Sequence, residues 1–211
     1  MGRGKFITFE GGEGAGKSTQ ARMLVDALRA QGRDVVLTRE PGGTPGAEAI
    51  RSLLLDPPGD GWGARAEALL FAAARADHVA RLIEPALARG AWVVCDRFID
   101  SSRAYQGGGG GLDDADLRDL HRIGSAAVMP DLTILIEVPA TLVAERLAIR
   151  DGGASDAIGG RGADYHGKVG AAFRLLADAE PGRFAILDGA GEPQQIHAAV
   201  LAAITALAGA A

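Results

Sequence analysis

The chain has 211 residues, of which 47% are hydrophobic and 23% charged, so it can form a packed core and is not disordered throughout. Its net charge of -5 argues against an extensive basic surface for nucleic acid. The single cysteine, Cys95, excludes a disulfide framework and a zinc-ribbon cluster, and no run approaches the ~18 apolar residues of a membrane span. We therefore expect a cytoplasmic protein without nucleic-acid or membrane partners.

Strand-like apolar runs alternate with apolar residues at helical spacing along the chain. In chain order, the pattern predicts a strand over 5–10, a helix over 16–30, a strand over 34–38, helices over 45–55 and 63–89, the latter bent near Pro85, a strand over 91–96 and a short helix over 101–106. It then predicts a helix over 113–128 with Asp113 as its N-cap, a strand over 131–138, helices over 139–150 and 163–179, a strand over 183–187 and a helix from residue 193.

Five consecutive glycines occupy positions 107–111. Glycine weakens the interior of both helices and strands because it loses the most backbone freedom on folding. We therefore predict that this run lies outside regular secondary structure.

The alternation of strands and helices predicts the fold class. Such βαβ units have right-handed crossovers and form a parallel sheet with helices on both faces. We expect a three-layer α/β fold with a five-stranded parallel sheet, in one domain spanning residues 1–211. Ligands of such sheets bind at the carboxyl ends of the strands, so motifs that follow strands are the candidates for a functional site.

The most specific motif follows the first predicted strand. Residues 11–18 read G-G-E-G-A-G-K-S and match the phosphate-binding pattern G-x-x-x-x-G-K-[ST] between a strand and a helix. Such a loop directs backbone N–H groups and a helix N-terminus at phosphates, while Lys17 reaches the β- and γ-phosphates and Ser18 binds Mg²⁺. This predicts a P-loop NTPase fold with an ATP site formed by Gly11, Gly12, Glu13, Gly14, Ala15, Gly16, Lys17, Ser18 and Thr19.

Asp96 and Arg97 follow the third predicted strand. An aspartate at the end of an apolar strand beside a P-loop typically orients Mg²⁺ or its water ligands, and we predict Asp96 and Ser18 as the metal-binding pair. Arg97 offers a planar, bidentate fork that suits phosphate. The alternative interpretations are a cap for Asp96 and a surface ion pair for Arg97.

Three classes of protein share the P-loop. The Asn-Lys-x-Asp motif of GTPases is missing, because the three lysines are Lys5, Lys17 and Lys168. ATPase motors and switches are usually larger. A small-molecule kinase needs a second phosphate site, several arginines and a closing lid, which would correspond to the Gly-rich segment at about 148–162 and to Arg39, Arg51, Arg75, Arg97, Arg146, Arg150 and Arg161.

Several short runs resemble the thymidylate kinase family in order and spacing. They are T-R-E-P-G-G-T at 38–44, R-S-L-L-L at 51–55, F-A-A-A-R at 71–75, D-R-F at 96–98 and A-Y-Q-G at 104–107. The resemblance covers residues from about 5 to 190. It implies transfer of the γ-phosphate of ATP to dTMP, giving dTDP and ADP for dTTP synthesis, with Mg²⁺ as cofactor and in a homodimer.

The resemblance also implies roles for residues of an acceptor site. Phe71 would stack on the thymine ring, Arg75 would hydrogen-bond the base, and Tyr105 would lie under the deoxyribose. The complete implied acceptor set is Glu10, Arg39, Pro41, Phe71, Arg75, Arg97, Ser102, Tyr105 and Gln106. Considered without the resemblance, Phe71 and Tyr105 are equally consistent with core packing.

The lid departs from the family pattern. Family members often have Asp-Arg-x-Glu before an aromatic-rich helix, whereas residues 156–159 here read D-A-I-G. Members with glycine after the acidic P-loop residue, as in Glu13-Gly14, resemble the bacterial subtype whose catalytic arginine comes from the lid. This assigns that role to Arg150, with Arg146 and Arg161 as substitutes, and the expected catalytic set is Lys17, Asp96, Arg97 and Arg150.

Two alternatives remain open at this point. The first is another nucleoside or deoxynucleoside monophosphate kinase of the same fold with a different base preference. The second is a P-loop nucleotide-binding switch or assembly factor with negligible kinase activity.

Overall fold

The computed structural model of the protein describes residues 2–139, 141–143, 146 and 157–209. Within these residues, five strands form one sheet: β1 (Phe6–Glu10), β2 (Val35–Arg39), β3 (Trp92–Asp96), β4 (Leu132–Glu137) and β5 (Phe184–Asp188). Their order is β2-β3-β1-β4-β5 and every neighbouring pair is parallel. The predicted five-stranded parallel sheet is confirmed, with each strand within one residue of its predicted limits.

Helices connect the strands and cover the sheet. They are α1 (Lys17–Ala30), α2 (Pro45–Leu55), α3 (Ala64–His78), α4 (Glu84–Ala88), α5 (Ile99–Ser102), α6 (Asp114–Ser125), α7 (Ala163–Ala179) and α8 (Pro193–Gly209). Of the helix predicted over 139–150, most positions lie outside the described residues. The described helices include none that is long and apolar enough to span a membrane.

The three central strands, β1, β3 and β4, are buried on both faces, which is why their sequences are almost continuously apolar. Successive side chains of a strand point to opposite faces. Ile7 and Phe9 of β1 pack in a core with residues of α1 and α8, whereas Phe6 packs on the other side with Ile83 and Leu87. The carboxyl ends of the strands are thereby held in one rigid edge.

Two π-helical segments interrupt the predicted helices. Val79–Ile83 joins α3 to α4, immediately before Pro85, where a bend was predicted. Arg103–Gly109 continues α5 and includes three of the five consecutive glycines, so the prediction that they lie outside helices is wrong for 107–109. Asp113 is the N-cap of α6 as predicted, although its side chain makes no capping hydrogen bond.

The glycines of the second π-helical segment allow it to pack closely against α7. A Cβ atom at Gly108 would lie 2.3 Å from the Cβ of Ala172, and one at Gly109 would lie 2.5 Å from the ring of Tyr165. Close packing against α7 therefore requires glycine at these positions. A prediction from local helix and strand propensities cannot detect such a requirement.

Candidate active site

A cavity of about 400 Å³ opens at the carboxyl ends of β1, β2 and β3. Most of the predicted site residues line it: Glu13, Gly14, Ala15, Gly16, Lys17, Ser18, Thr19, Arg39, Pro41, Phe71, Arg75, Asp96, Arg97, Ser102, Tyr105, Gln106 and Arg146. Its position is the one expected for the ligand of a parallel α/β sheet.

The P-loop, residues 11–18, forms one end of the cavity. Gly11, Gly14 and Gly16 have φ angles of 133°, 67° and 89°, which glycine adopts without steric cost. Gly11 also has no room for a side chain, since a Cβ would lie 2.3 Å from the carbonyl oxygen of Ile136. The loop is thus shaped by glycine conformation and close contact with β4. Gly11 and Gly12 contribute carbonyl oxygens rather than cavity lining.

Lys17 lies inside this loop. Its Nζ donates a hydrogen bond to the carbonyl oxygen of Gly12 at 2.6 Å. Burial, together with the charge of the nearby Arg97, lowers its pKa to about 8. An anion bound between these two cations would raise the pKa of Lys17 again, because it favours the charged form.

Ser18 and Asp96 meet across the cavity floor, between α1 and the end of β3. The Ser18 hydroxyl donates a hydrogen bond to Oδ2 of Asp96. Oδ1 of Asp96 is buried and has no hydrogen-bond partner among the described residues. Oxygen ligands are those that Mg²⁺ prefers, so the donor set and this unpartnered oxygen fit a Mg²⁺ ion or one of its water ligands.

Arg97 joins the two ends of the cavity. Its guanidinium donates to the carbonyl oxygen of Gly11 at 3.1 Å and to Glu13 at 2.5 Å, and also to the hydroxyls of Ser101 and Tyr105, at 3.1 and 3.2 Å. The residue has a φ of 70°, which is uncommon for a side chain other than glycine and often marks a functional position. The charge of Arg97 is thus held between the P-loop and Tyr105.

Glu10 lies behind the cavity rather than in its wall. Its carboxylate accepts hydrogen bonds from the backbone N–H of Phe98 at 2.7 Å and from the hydroxyl of Ser101 at 2.6 Å. Burial, together with the charge of the nearby Asp100, raises its pKa to about 8. Glu10 is therefore in contact with the site through Ser101, which does line the cavity.

Arg75 is fixed by a buried polar chain that the sequence did not reveal. Its Nε donates to Glu40 at 2.7 Å and its NH2 donates to the hydroxyl of Ser102 at 2.8 Å. His78 contacts the other oxygen of Glu40 at 3.0 Å and shares a hydrogen bond with Thr38 at 2.7 Å. Arg75 and His78 are one helical turn apart on α3, which is the signal that could have identified His78.

The acceptor end of the cavity combines apolar and polar walls. Phe71 is half-buried and packs against the cluster that contains Tyr105, and the amide of Gln106 donates to Glu67 at 2.8 Å. Arg51, one of the arginines expected for a kinase site, also lines the cavity. The cavity residues to which the sequence assigned no role are Arg22, Glu40, Leu55, Phe98, Ser101 and Ile158. Arg22 lies one turn after Ser18 on α1, and Arg51 donates to the carbonyl oxygen of Pro41 at 2.6 Å.

The three arginines predicted for the lid have different positions. Arg146 lines the cavity and donates to the carbonyl oxygen of Gly189 at 2.9 Å. Arg161 is bound to Glu67 and Tyr165 and does not line the cavity. Arg150 lies outside the described residues.

The arrangement suits phosphoryl transfer. A phosphate-binding loop with a lysine, a paired hydroxyl and carboxylate, and a bridging arginine are the parts that neutralise and position a nucleotide. The other end offers an aromatic wall with hydrogen-bonding side chains, which suits a planar base.

Comparison with known proteins agrees with this chemistry. A thymidylate kinase family model matches residues 9–200. A thymidylate kinase of Rhizorhabdus wittichii is 55% identical over 97% of this chain and 98% of its own length, and one of a Bradyrhizobium species is 48% identical over 96% and 90%. The crystal structure of thymidylate kinase from Ehrlichia chaffeensis is 32% identical and superposes with a TM-score of 0.79, covering 96% of this chain and 99% of that one. The chain belongs to the thymidylate kinase family, and the resemblance seen in its motifs is confirmed.

Proposed function

We propose that the protein transfers the γ-phosphate of ATP to dTMP, producing dTDP and ADP. The observation that supports this most directly is the shared cavity, in which Arg97 bridges the P-loop and the wall that contains Tyr105. Family membership supports thymidine as the nucleoside. Residues 1–211 would act as one kinase domain with a lid at about 148–162.

The acceptor dTMP would lie with its base between Phe71 and the polar group formed by Arg75, Ser102 and Gln106. The guanidinium of Arg75 is oriented before any base binds, because it donates hydrogen bonds to Glu40 and Ser102. Tyr105 would contact the sugar, and Arg39 and Arg97 would bind the acceptor phosphate. Glu10 would act through Ser101, whose hydroxyl it holds.

Lys17 and Arg97 would neutralise the phosphoryl group as it moves. The transition state of phosphoryl transfer is loose, with charge on the equatorial oxygens, so positioned cations contribute more than a general base. Ser18 and Asp96 would hold Mg²⁺ or its water ligands. When bound, Mg²⁺ supplies charge neutralisation and orientation of the ATP phosphates.

The lid would exclude water, which favours transfer to dTMP over hydrolysis of ATP. Arg146 already faces the cavity and would approach the ATP phosphates, with Arg150 as the second candidate. We also propose that the protein is a cytoplasmic homodimer, and exposed apolar side chains on neighbouring helices, Leu69 of α3 and Ile123 of α6, support the dimer.

The proposal is tested by coupling ADP formation to NADH oxidation with purified protein, Mg²⁺-ATP and each acceptor in turn: dTMP, dUMP, dCMP and dGMP. We expect the highest kcat/KM with dTMP. Preference for another acceptor would assign a different monophosphate kinase activity, and ADP formation with none of them would indicate a nucleotide-binding switch.

Arg97→Ala is the control for the site itself. We expect a fall in kcat of at least about 100-fold, because the variant loses a charge that stabilises the transition state. Arg122→Ala, which removes an exposed arginine paired with Asp119, should keep the activity. Near-normal turnover by Arg97→Ala with a native thermal melt would contradict the assigned role.

A further inference from the structure

A buried carboxylate behind the acceptor site joins two of its parts. Glu67 of α3 is 4% exposed and does not line the cavity. Its Oε1 accepts a hydrogen bond from Nε2 of Gln106 at 2.8 Å, and its Oε2 accepts one from Arg161. A buried carboxylate is tolerated when it is paired and hydrogen-bonded, and these two partners meet both conditions.

This carboxylate determines which end of the Gln106 amide is available to a ligand. An ionised carboxylate only accepts hydrogen bonds, so the amide nitrogen must point to Glu67. The amide oxygen is then the atom left for the cavity, which Gln106 lines.

An amide oxygen recognises a particular kind of base edge. It accepts a hydrogen bond from an N–H donor, such as the imide N3–H of thymine, and cannot bond to a ring nitrogen that is itself an acceptor, such as N3 of cytosine. A site built to bond one pattern rejects the other because its own polar group would be left without a partner.

Arg161 extends the cluster from Glu67 to α7. Its NH1 donates to the hydroxyl of Tyr165 at 2.6 Å, and its guanidinium carbon lies 4.7 Å from the centre of that ring. The Tyr165 hydroxyl in turn donates to the carbonyl oxygen of Tyr105 at 2.9 Å. Arg161 thus holds two neighbouring positions of the π-helical segment, Tyr105 through Tyr165 and Gln106 through Glu67.

We propose that Glu67, paired with Arg161, is a positioning residue that fixes the Gln106 amide for an imide base and so sets the preference for dTMP over dCMP. This rests on the dTMP kinase activity proposed above. It assigns Arg161 to the acceptor site and not to the phosphates of ATP.

The decisive variant is Glu67→Gln, which keeps size and removes the charge. A carboxamide can donate as well as accept, so the Gln106 amide is free to turn over. We expect the ratio of kcat/KM for dTMP to that for dCMP to fall about tenfold, mainly through a higher KM for dTMP, while the KM for ATP changes less than twofold. Glu84→Gln, an exposed glutamate paired with Arg3, is the matched control and should leave the ratio unchanged.

Arg161→Ala approaches the same pair from the other side. The variant loses the hydrogen bond that holds Oε2 of Glu67, so the carboxylate is no longer fixed in front of the Gln106 amide, and the dTMP/dCMP ratio should fall in this variant too. Because the Arg161 side chain is 28% exposed, this substitution also serves if Glu67→Gln does not fold.

An unchanged ratio in folded Glu67→Gln would overturn the proposal. The proposal would also be overturned if Arg161→Ala changed only kcat and the KM for ATP, because that result would assign Arg161 to the ATP phosphates. If the wild-type protein does not phosphorylate dTMP, the proposed function fails instead, and the two failures are distinguished by the wild-type assay alone.

Discussion

At the scale of single residues, the site depends on side chains whose charge and direction are fixed by buried partners. Arg97 is directed by its left-handed backbone and by Glu13, and Arg75 is directed by Glu40 and Ser102. Held in this way, the guanidinium groups lose little further freedom when a nucleotide binds, which is the advantage of a preorganised site.

Glu10 leads to a prediction about pH and stability. Its pKa is raised from 4.5 to about 8 by burial and by Asp100, so between these pH values the folded chain binds a proton that the unfolded chain releases. The stability that this group contributes is therefore complete below pH 4.5 and is lost as the pH rises through about 8. Glu10→Gln should flatten this dependence.

The measurement is the free energy of unfolding from urea titrations at pH 5 and pH 8. Between these conditions the wild-type protein should lose on the order of 2–4 kcal/mol more than Glu10→Gln, at about 1.4 kcal/mol per unit of pKa. Glu84→Gln, an exposed change of the same type, should behave as the wild type. Parallel pH profiles for wild type and Glu10→Gln would show that Glu10 is ionised throughout.

Motif residues could be predicted from the sequence, whereas their supporting residues could not. Lys17, Asp96 and Arg97 follow strands in recognisable patterns, and they meet in the cavity as expected. Glu40 and His78 are 38 positions apart and come together only through the packing of α3 beside β2. No local pattern encodes a pairing of that separation.

At the scale of elements, the unexpected feature is the π-helical segment Arg103–Gly109 beside α7. It carries both Tyr105 and Gln106 into the cavity. Segments with π-helical hydrogen bonding are rare and frequent at functional sites. Helical spacing was recognised as far as residue 106, but the tolerance for glycine comes from the neighbouring helix and is invisible to a local prediction.

Gly108→Ala tests this close packing. The added Cβ would lie 2.3 Å from the Cβ of Ala172, which belongs to a rigid helix, so the two elements must separate. We expect a loss of about 1–3 kcal/mol in the free energy of unfolding and a higher KM for dTMP, because Tyr105 and Gln106 move with the segment.

Gly167→Ala is the matched control on α7. Nothing lies within 4 Å of its added Cβ, and replacing a helical glycine by alanine stabilises by about 1 kcal/mol. Urea denaturation of both variants distinguishes the cost of the steric contact at residue 108 from the gain in helix propensity. A Gly108→Ala protein as stable as Gly167→Ala would show that the contact is easily relieved.

At the scale of the whole molecule, the α/β alternation alone predicted the sheet and its flanking layers. The strands are short, apolar and separated by helices of suitable length, and few topologies satisfy right-handed crossovers with that order. Sites at the carboxyl edge follow from the same topology. Topology does not specify where individual side chains lie. The positions of the lid arginines could therefore not be predicted from the sequence.

The proposed homodimer is tested on the surface formed by α2, α3 and α6. Ile123 and Leu69 are 73% and 56% exposed on helices that pack against each other, and such apolar exposure favours a protein interface. We expect Ile123→Asp and Leu69→Asp to shift the protein toward monomer in sedimentation velocity. Leu175→Asp, 68% exposed on α7, should remain dimeric, and a monomeric wild type would contradict the proposed dimer.

The lowered pKa of Lys17 has a consequence for the energetics of substrate capture. With a pKa of about 8, Lys17 behaves as a weak acid that has released part of its proton in mildly alkaline solution. Phosphate oxygens favour the ammonium form, so binding of ATP at pH 8 draws protons from the buffer. We therefore expect the heat of binding to include the ionisation enthalpy of that buffer, and the affinity to decline as the solution becomes more alkaline.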